Sequence, residues 1–137
     1  MLTLKEAFSA EELAQCARIE RAVFVDELGG DEAGVFANSK DAIHAIMYNG
    51  DKPIGTGRID FDGTRWTISH LAVIPEERND KLGDFLLRYL IRRVYDMGIE
   101  EVFIDPPDNV RGFFAKLGFE AAQGSLMRRS GDICGYC

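Results

Sequence analysis

The sequence predicts an α+β fold with a mixed, mostly antiparallel sheet that is flanked by helices. Three apolar runs between residues 42 and 74 are separated by the turn signals Asn49-Gly50-Asp51 and Asp62-Gly63, which is typical of an antiparallel meander. A strongly amphipathic helix is predicted next, from about Leu82 to Met97, and a buried strand over Glu101–Asp105 follows it. A helix between two strands usually places those strands side by side and parallel.

The bulk properties fit one ordinary globular domain. The chain has 137 residues, of which 46% are hydrophobic and 28% are charged, and we expect a single domain over residues 1–137 with a C-terminal tail from residue 130. The sequence shows no apolar run of the roughly 20 residues that span a membrane and no signal-peptide layout at Met1, so the expected location is cytoplasmic. The net charge of -7 argues against nucleic-acid binding.

The segments before the meander are predicted to be a strand and a helix. Residues 2–8 form the predicted strand, and Ser9 with Glu12 has the spacing of a capping box, which starts a helix that ends near Leu28. The polar stretch from Asp31 to Lys40 is predicted to be a loop that can include a short helical turn. This loop could border the site of an acceptor molecule.

A short helix running to Leu117 is predicted after the last parallel strand, with Asp108 or Asn109 as its cap. Residues 119–122 and 125–128 are predicted to form a final hairpin.

The stretch from Ile68 to Gly83 organises the chain. It predicts an apolar strand, a polar turn that holds Arg78 and Lys81, and the first turn of the long helix. A helix N-terminus presents unpaired backbone N–H groups and the positive end of a dipole, and glycine there lets phosphates approach the backbone closely. We therefore predict a pyrophosphate cradle at this point.

One pattern in this stretch is Leu71-Ala72-Val73, then Pro75, then Arg78, and then Leu82-Gly83. In this pattern the chain resembles the GNAT superfamily of acetyl-CoA-dependent N-acetyltransferases. The signature of that family is a strand ending in Leu-Ala-Val, a few residues with Pro, and Arg/Gln-x-x-Gly-x-Gly/Ala opening a helix. Lys81 replaces the first glycine of the signature.

A second pattern, residues 111–119, reads Arg-Gly-Phe-Phe-Ala-Lys-Leu-Gly-Phe and resembles the Phe-Tyr-x-Lys-Leu-Gly-Phe of the same family. Residues 22–27 and 42–44 look like the small bacterial ElaA-like branch. The predicted order of elements also matches the family, so the resemblance covers nearly the whole chain. It implies a GNAT fold in which a central pair of parallel strands splays apart.

The resemblance implies that acetyl-CoA is the co-substrate. In this family pantetheine enters the gap between the splayed strands, where backbone groups of Leu71 and Val73 would bond its amides. Backbone N–H groups from Arg78 to Gly83 would hold the pyrophosphate. The residues implied for CoA binding are Leu71, Ala72, Val73, Arg78, Asn79, Asp80, Lys81, Leu82, Gly83 and Asn109. Lys81 can instead be a solvated lysine, and Asn109 can instead be only a helix cap.

The implied reaction is direct attack of a primary amine, on a small molecule or a peptide, on the thioester in a ternary complex. The amine must be neutral, so a base is needed. The candidate bases are Glu27, Asp60 and His70. Strict strand alternation groups Ser69 with Leu71 and Val73 and turns His70 to the other face, where a packed core histidine is the alternative to a catalytic one.

Phe114 stands where the family often has a tyrosine that protonates the departing sulfur. It can pack there but cannot donate a hydrogen bond. Phe114 and Lys81 therefore leave a second function open, an acyl-CoA-binding module with weak or no catalysis. The oligomeric state is left open between a monomer and a homodimer.

Charged residues near the predicted site have two interpretations. Asp26, Glu27, Asp31 and Glu32 either attract a cationic amine or form a solvated loop. The positive charges that could meet the anionic end of CoA are Arg78, Lys81, Arg88 and Arg111.

The cysteines indicate no metal centre. Cys16 falls in a helical pattern and is predicted to be a small core residue. Cys134 and Cys137 form a CxxC at the C-terminus, which we expect to be an exposed tail, with a reversible disulfide or a redox or partner-contact role as alternatives. A zinc site would need about four ligands, so no metal is expected.

Overall fold

A computed structural model describes residues 1–37 and 39–130 of the chain. In that part the backbone forms seven strands: β1 Leu2–Glu6, β2 Ile43–Asn49, β3 Lys52–Phe61, β4 Trp66–Val73, β5 Glu101–Ile104, β6 Glu120–Ala121 and β7 Met127–Ser130. The same residues form four α-helices: α1 Ala10–Glu20, α2 Glu32–Val35, α3 Asp80–Asp96 and α4 Arg111–Lys116. A π-helical segment, Arg21–Glu27, continues α1, and a 3-10 turn at Ser39–Asp41 precedes β2.

The strands form one mixed sheet in the order β1-β2-β3-β4-β5-β7-β6. Neighbouring strands are antiparallel except β4 and β5, which are parallel. Within the described chain the parallel pairing has a single register position, Thr67 opposite Phe103. The two strands therefore part before β4 reaches Val73, which confirms both the α+β class and the splayed parallel pair that the resemblance implied.

Helix α3 covers one face of the sheet and confirms the long helix predicted from the apolar stripe. Its core residues, which are at most 1% exposed, are Leu86, Leu87, Leu90, Ile91 and Val94. Burying one such side chain stabilises the fold by roughly 1.5–3 kcal/mol. The helix packs so closely on β3 that a Cβ at Gly57 would lie 2.5 Å from a methyl carbon of Leu90. After the helix, Gly98 takes a φ of +84°, a conformation that glycine adopts without strain.

Helix α1 covers the opposite face. Its N-terminus carries the predicted capping box, in which the Ser9 hydroxyl accepts from the backbone of Glu12 and the Glu12 carboxylate accepts from the backbone of Ser9. Cys16 is 1% exposed and packs with Ile46, which confirms it as a core residue.

Strand β4 contains a bulge at His70. The residue has a φ of +55°, and the register with β3 shifts between Thr56 and Arg58. Leu71 then packs with the α3 side of the core, whereas Ser69 and His70 contact each other through their side chains. The predicted strict alternation is therefore wrong at His70, because the extra residue of the bulge places two successive side chains on the face of α1.

The predicted cap of α4 is also wrong. Asp108–Val110 forms a 3-10 turn after Pro107, and Val110 occupies the N-cap position without a side-chain cap. Asp108 and Asn109 lie inside that turn, whereas a cap residue needs an extended backbone. The predicted Cys134 and Cys137 pair lies outside the described residues. Among the described residues, no helix is long and apolar enough to cross a membrane.

Candidate active site

Three neighbouring cavities lie along β4, where this strand separates from β5. The cradle cavity, about 200 Å³, is lined by Leu71, Ala72, Val73, Arg78, Asn79 and Gly83 among others. The cleft cavity, about 390 Å³, lies between β4 and β5 and includes Ser69, His70, Leu71, Ile104, Pro106 and Phe114 in its lining. The loop cavity, about 500 Å³, is lined by Phe24, Gly30, Asp31, Gly34, Val35, Ser69 and His70. Leu71 is common to the first two cavities, and Ser69 and His70 are common to the last two.

The cradle cavity opens at the N-terminus of α3. Among the described residues, a Cβ built on Gly83 would meet no heavy atom within 4 Å beyond its chain neighbours and its own helix backbone, so this helix turn leaves open space beside the cavity. The Asn79 side chain caps the helix by accepting from the backbone N–H groups of Lys81 (2.9 Å) and Leu82 (3.3 Å). These N–H groups were predicted to hold a pyrophosphate, and a ligand would have to displace the Asn79 amide to reach them.

Arg78 joins the cradle to the π-helical segment. Its guanidinium donates to the Val73 carbonyl at 3.1 and 2.8 Å and forms a two-pronged ion pair with Glu27, with both distances 2.8 Å. The Arg78 guanidinium holds the pKa of Glu27 below its ordinary value. A carboxylate with a lowered pKa is a poorer proton acceptor, so the contacts favour an ion-pair role for Glu27 over the predicted role of a base.

The other charged residues near the cavities are mostly engaged within the protein. Glu32 pairs with Arg21, and the Asp31 carboxylate accepts from the Gly34 N–H at 3.0 Å. Arg88 pairs with Asp84, and Arg111 donates to the Ser125 carbonyl at 2.8 Å. These contacts reduce the charge available to attract either a cationic amine or the phosphates of CoA. Lys81 is exposed in the first turn of α3.

Phe114 closes the cleft cavity from α4. The residue is 9% exposed, and its ring makes edge contacts with Phe113 (centroids 5.2 Å apart) and Phe119 (6.0 Å). An aromatic wall therefore occupies the position at which the resemblance implied a tyrosine. Asn109 is exposed and lies on the turn beside this wall, while Pro107 and Val110 of the same segment line the cavity.

His70 lies between the cleft and loop cavities. Its ring makes an edge contact with Phe24 (centroids 5.6 Å apart). Nδ1 lies 2.8 Å from the Ser69 hydroxyl, which donates to Asp60 at 3.0 Å, and Nε2 lies 2.9 Å from the Val35 carbonyl. Burial, followed by the nearby Arg58, lowers the pKa of His70. The imidazole is thus biased to its neutral form, which is the form that can accept a proton.

Sequence reasoning missed Arg58, which fixes the wall of the loop cavity. Its guanidinium donates to the carbonyls of Ala37 (2.9 Å) and Val35 (3.1 Å) and pairs with Glu20 at 3.2 Å. Both charged side chains are almost fully buried. The available signal was an arginine inside the apolar run of β3, which requires a buried partner.

Comparison with known proteins shows that the chain is an acyltransferase. More particularly, it belongs to the Acetyltransferase (GNAT) family, whose model matches residues 8–119. A Bacillus subtilis (strain 168) protein named as an acetyltransferase is 28% identical over 130 residues, which cover 92% of this chain and 88% of that protein.

Two solved structures illustrate the shared fold. The crystal structure of Escherichia coli ElaA superposes with a TM-score of 0.81 at 18% identity, and the match covers 95% of this chain and 100% of that one. A GNAT family acetyltransferase from Brucella melitensis, in complex with acetyl-CoA, gives a TM-score of 0.76 at 10% identity, with 96% and 89% covered.

Proposed function

We propose that the protein is an N-acetyltransferase that moves the acetyl group of acetyl-CoA to a primary amine, on a small molecule or a peptide, by direct attack in a ternary complex. The observation that carries this proposal is the row of three cavities joined at Leu71 and at His70. CoA would occupy the cradle and cleft cavities, and the amine would enter through the loop cavity. The acetyl group would then pass from the sulfur of CoA to the nitrogen of the amine beside His70.

The cradle fits the proposed co-substrate. The open space at Gly83 lets phosphates approach the positive end of a 17-residue helix, where they would replace the Asn79 side chain at the N–H groups of Lys81 and Leu82. The splay of β4 from β5 leaves the edge of β4 near Leu71 open to an extended ligand, whereas the Val73 carbonyl accepts from the Arg78 guanidinium, which a ligand would have to displace. Bound acetyl-CoA supplies an activated acetyl thioester, and the residues of the chain position it and receive the proton of the amine.

The direct test is binding and turnover by the 137-residue chain. Calorimetry should detect CoA binding, and the affinity should fall as salt rises because phosphates meet Lys81 and the helix N-terminus. Acetyl-CoA should then release free thiol with a panel made of an aliphatic diamine, an aromatic monoamine, amino-acid amides and a dipeptide. An absence of binding heat and of thermal shift at excess CoA would remove the proposal.

Phe114 favours a second candidate function, a module that binds acyl-CoA with little turnover. The two candidates differ in thiol release, since both require CoA binding. A thiol of pKa about 8.5 leaves tolerably well without an acid, so the phenylalanine by itself does not exclude catalysis.

Phe114→Tyr should raise kcat with little change in CoA affinity. The new hydroxyl can donate a proton to the sulfur as negative charge develops there, and a general acid contributes on the order of a hundredfold. Steady-state rates of the two forms, measured with the fastest amine of the panel, check this. A fast wild type with a neutral or slower Phe114→Tyr would mean that Phe114 acts only as an aromatic wall.

A further inference from the structure

The hydrogen bonds around His70 need more hydrogens than the neutral side chains can supply. Three short contacts join four groups in a row: the Asp60 carboxylate, the Ser69 hydroxyl, the imidazole of His70 and the Val35 carbonyl. Each contact needs one hydrogen. The carboxylate and the carbonyl can only accept, so all three hydrogens must come from Ser69 and His70.

A neutral His70 supplies too few hydrogens for this row. The Val35 carbonyl requires a hydrogen on Nε2, 2.9 Å away, which leaves Nδ1 as an acceptor. Nδ1 and the Asp60 carboxylate then compete for the one hydroxyl hydrogen of Ser69. A second ring proton removes the competition, because Nδ1–H then donates to Ser69 and Ser69 donates to Asp60. The row is therefore one proton short when His70 is neutral and complete when it is protonated.

The bulge in β4 creates this arrangement. In a regular strand Ser69 and His70 would face opposite sides of the sheet, but the φ of +55° at His70 lets both side chains lie on one side. Ser69 and His70 line both the cleft cavity and the loop cavity. The Ser69 hydroxyl thus lies where acetyl-CoA in the cleft cavity and an amine in the loop cavity would meet. The unprotonated Nδ1 of His70 lies directly behind this hydroxyl.

We propose that the Ser69 hydroxyl relays the proton of the attacking amine to Nδ1 of His70, and that Asp60 is the positioning residue that orients Ser69. This inference rests on the proposed function. In the step, the amine nitrogen bonds to the thioester carbon, and the C–S bond breaks with its electron pair leaving on sulfur as a thiolate. The nitrogen loses a proton to Ser69 Oγ while the original hydroxyl hydrogen of Ser69 moves to Nδ1.

Charge and hydrogens balance in this step. The neutral amine and thioester become a neutral amide and a thiolate, and His70 becomes an imidazolium. Ser69 ends with one hydrogen, now directed at Asp60. Loss of the Nδ1 proton to the buffer restores the starting state.

The groups around His70 determine its pKa and therefore the pH range in which it can take up and release a proton. The charged and titratable residues that face it or lie directly behind its partners are His44, Arg58 and Asp60 on the sheet, Glu20 on α1 and Asp31 on the loop. Burial and Arg58 lower the pKa of His70, while its contact with Val35 and the charge of Asp60 raise it. Removing the charge of Asp60, or the Ser69 link to it, should therefore lower this pKa further.

Histidine NMR tests the row in the free protein. The chain has two histidines, so the variant His44→Gln assigns the signals. We expect the Nε2–H tautomer for neutral His70 and a lower His70 pKa in Ser69→Ala and Asp60→Asn than in the wild type. Thr56→Val is the matched control, because it removes another hydroxyl, which donates to the Ala45 carbonyl at 2.8 Å from the neighbouring strand. In Thr56→Val the pKa of His70 should equal that of the wild type.

Kinetics test the relay itself. With the fastest amine of the panel, Ser69→Ala should lower the plateau kcat by about a hundredfold or more, while calorimetry finds its CoA affinity unchanged. Ser69→Thr should restore most of the rate. The rate should rise with pH as His70 loses its proton, and in Asp60→Asn this rise should move to lower pH together with the His70 pKa found by NMR.

Two results would overturn the relay alone: a wild type that binds CoA and turns over while Ser69→Ala keeps the full plateau rate, or a His70 pKa that is the same in Ser69→Ala and Asp60→Asn as in the wild type. A wild type that fails to bind CoA or to release thiol would overturn the proposed function and the relay together.

Discussion

Gly83→Val is expected to weaken CoA binding by at least about tenfold, because it fills the open turn at the start of α3. Apart from its chain neighbours and the backbone of its own helix, a Cβ at position 83 would meet no heavy atom of the described residues within 4 Å, so the space beside Gly83 is open to a ligand. A branched side chain there would hold a phosphate away from the backbone N–H groups. Each charge-assisted hydrogen bond contributes about 1.5–3 kcal/mol, and 1.4 kcal/mol corresponds to a tenfold change in Kd.

Three further variants separate crowding from other effects. Gly83→Ala should give a smaller loss, since it adds one methyl group. Gly112→Val places the same side chain at another helix glycine with open space around it, outside the lining of the cradle cavity, and should bind CoA nearly as the wild type does. Lys81→Gly restores the family pattern and should weaken binding less than Gly83→Val. Calorimetry at one ionic strength measures the CoA affinity of all four variants. If Gly83→Val bound CoA as the wild type does while Lys81→Gly did not bind it, the predicted position of the pyrophosphate cradle would be wrong.

The parts of the fold that the sequence predicted correctly depend on local signals. The stripe of α3 has a clear helical period, and Ser9 with Glu12 marks the start of α1 within four residues of chain. The turns at Gly50 and Gly63 have positive φ values, as the hairpin signals required. Periodicity and turn chemistry were sufficient for these elements because each depends on neighbours in sequence.

The candidate site was less predictable because its geometry depends on tertiary contacts. The bulge at His70 breaks the two-residue period on which the alternation argument rested. The pairing of Arg78 with Glu27 joins residues that are 51 positions apart, and no local pattern specifies it. The cap at Asn79 is different, since an asparagine directly before an amphipathic helix is a recognisable N-cap signal.

Arg58→Met is expected to lower the free energy of unfolding by about 3–5 kcal/mol, the usual cost of removing one partner of a buried ion pair. Arg58 and Glu20 have side chains that are 2% and 3% exposed, and their nitrogen and oxygen lie 3.2 Å apart. Arg58 also serves the carbonyls of Val35 and Ala37. The variant therefore leaves both a buried carboxylate and two loop carbonyls without these donors, and the wall of the loop cavity should loosen.

The loss of stability in Arg58→Met should depend on pH. Burial already raises the pKa of Glu20 even though Arg58 opposes the shift, and without Arg58 the folded-state pKa should rise further. A carboxyl group with a raised folded-state pKa favours the folded state while it is protonated and loses that contribution as pH rises towards the raised pKa. Urea unfolding of Arg58→Met should thus show a smaller deficit relative to the wild type at pH 5 than at pH 8. Adding Glu20→Gln to Arg58→Met should remove most of that difference between the two pH values.

An exposed pair provides the matched control. Arg92 and Asp96 are 58% and 57% exposed and lie one helical turn apart on α3, so Arg92→Met should change stability by about 0.5 kcal/mol or less. If Arg58→Met were as mild as Arg92→Met, the buried pair would contribute no more than a surface pair. The loop wall would then be held by other contacts, such as that between the ring of His44, which lies opposite Arg58 on β2, and the Ser39 carbonyl at 2.7 Å.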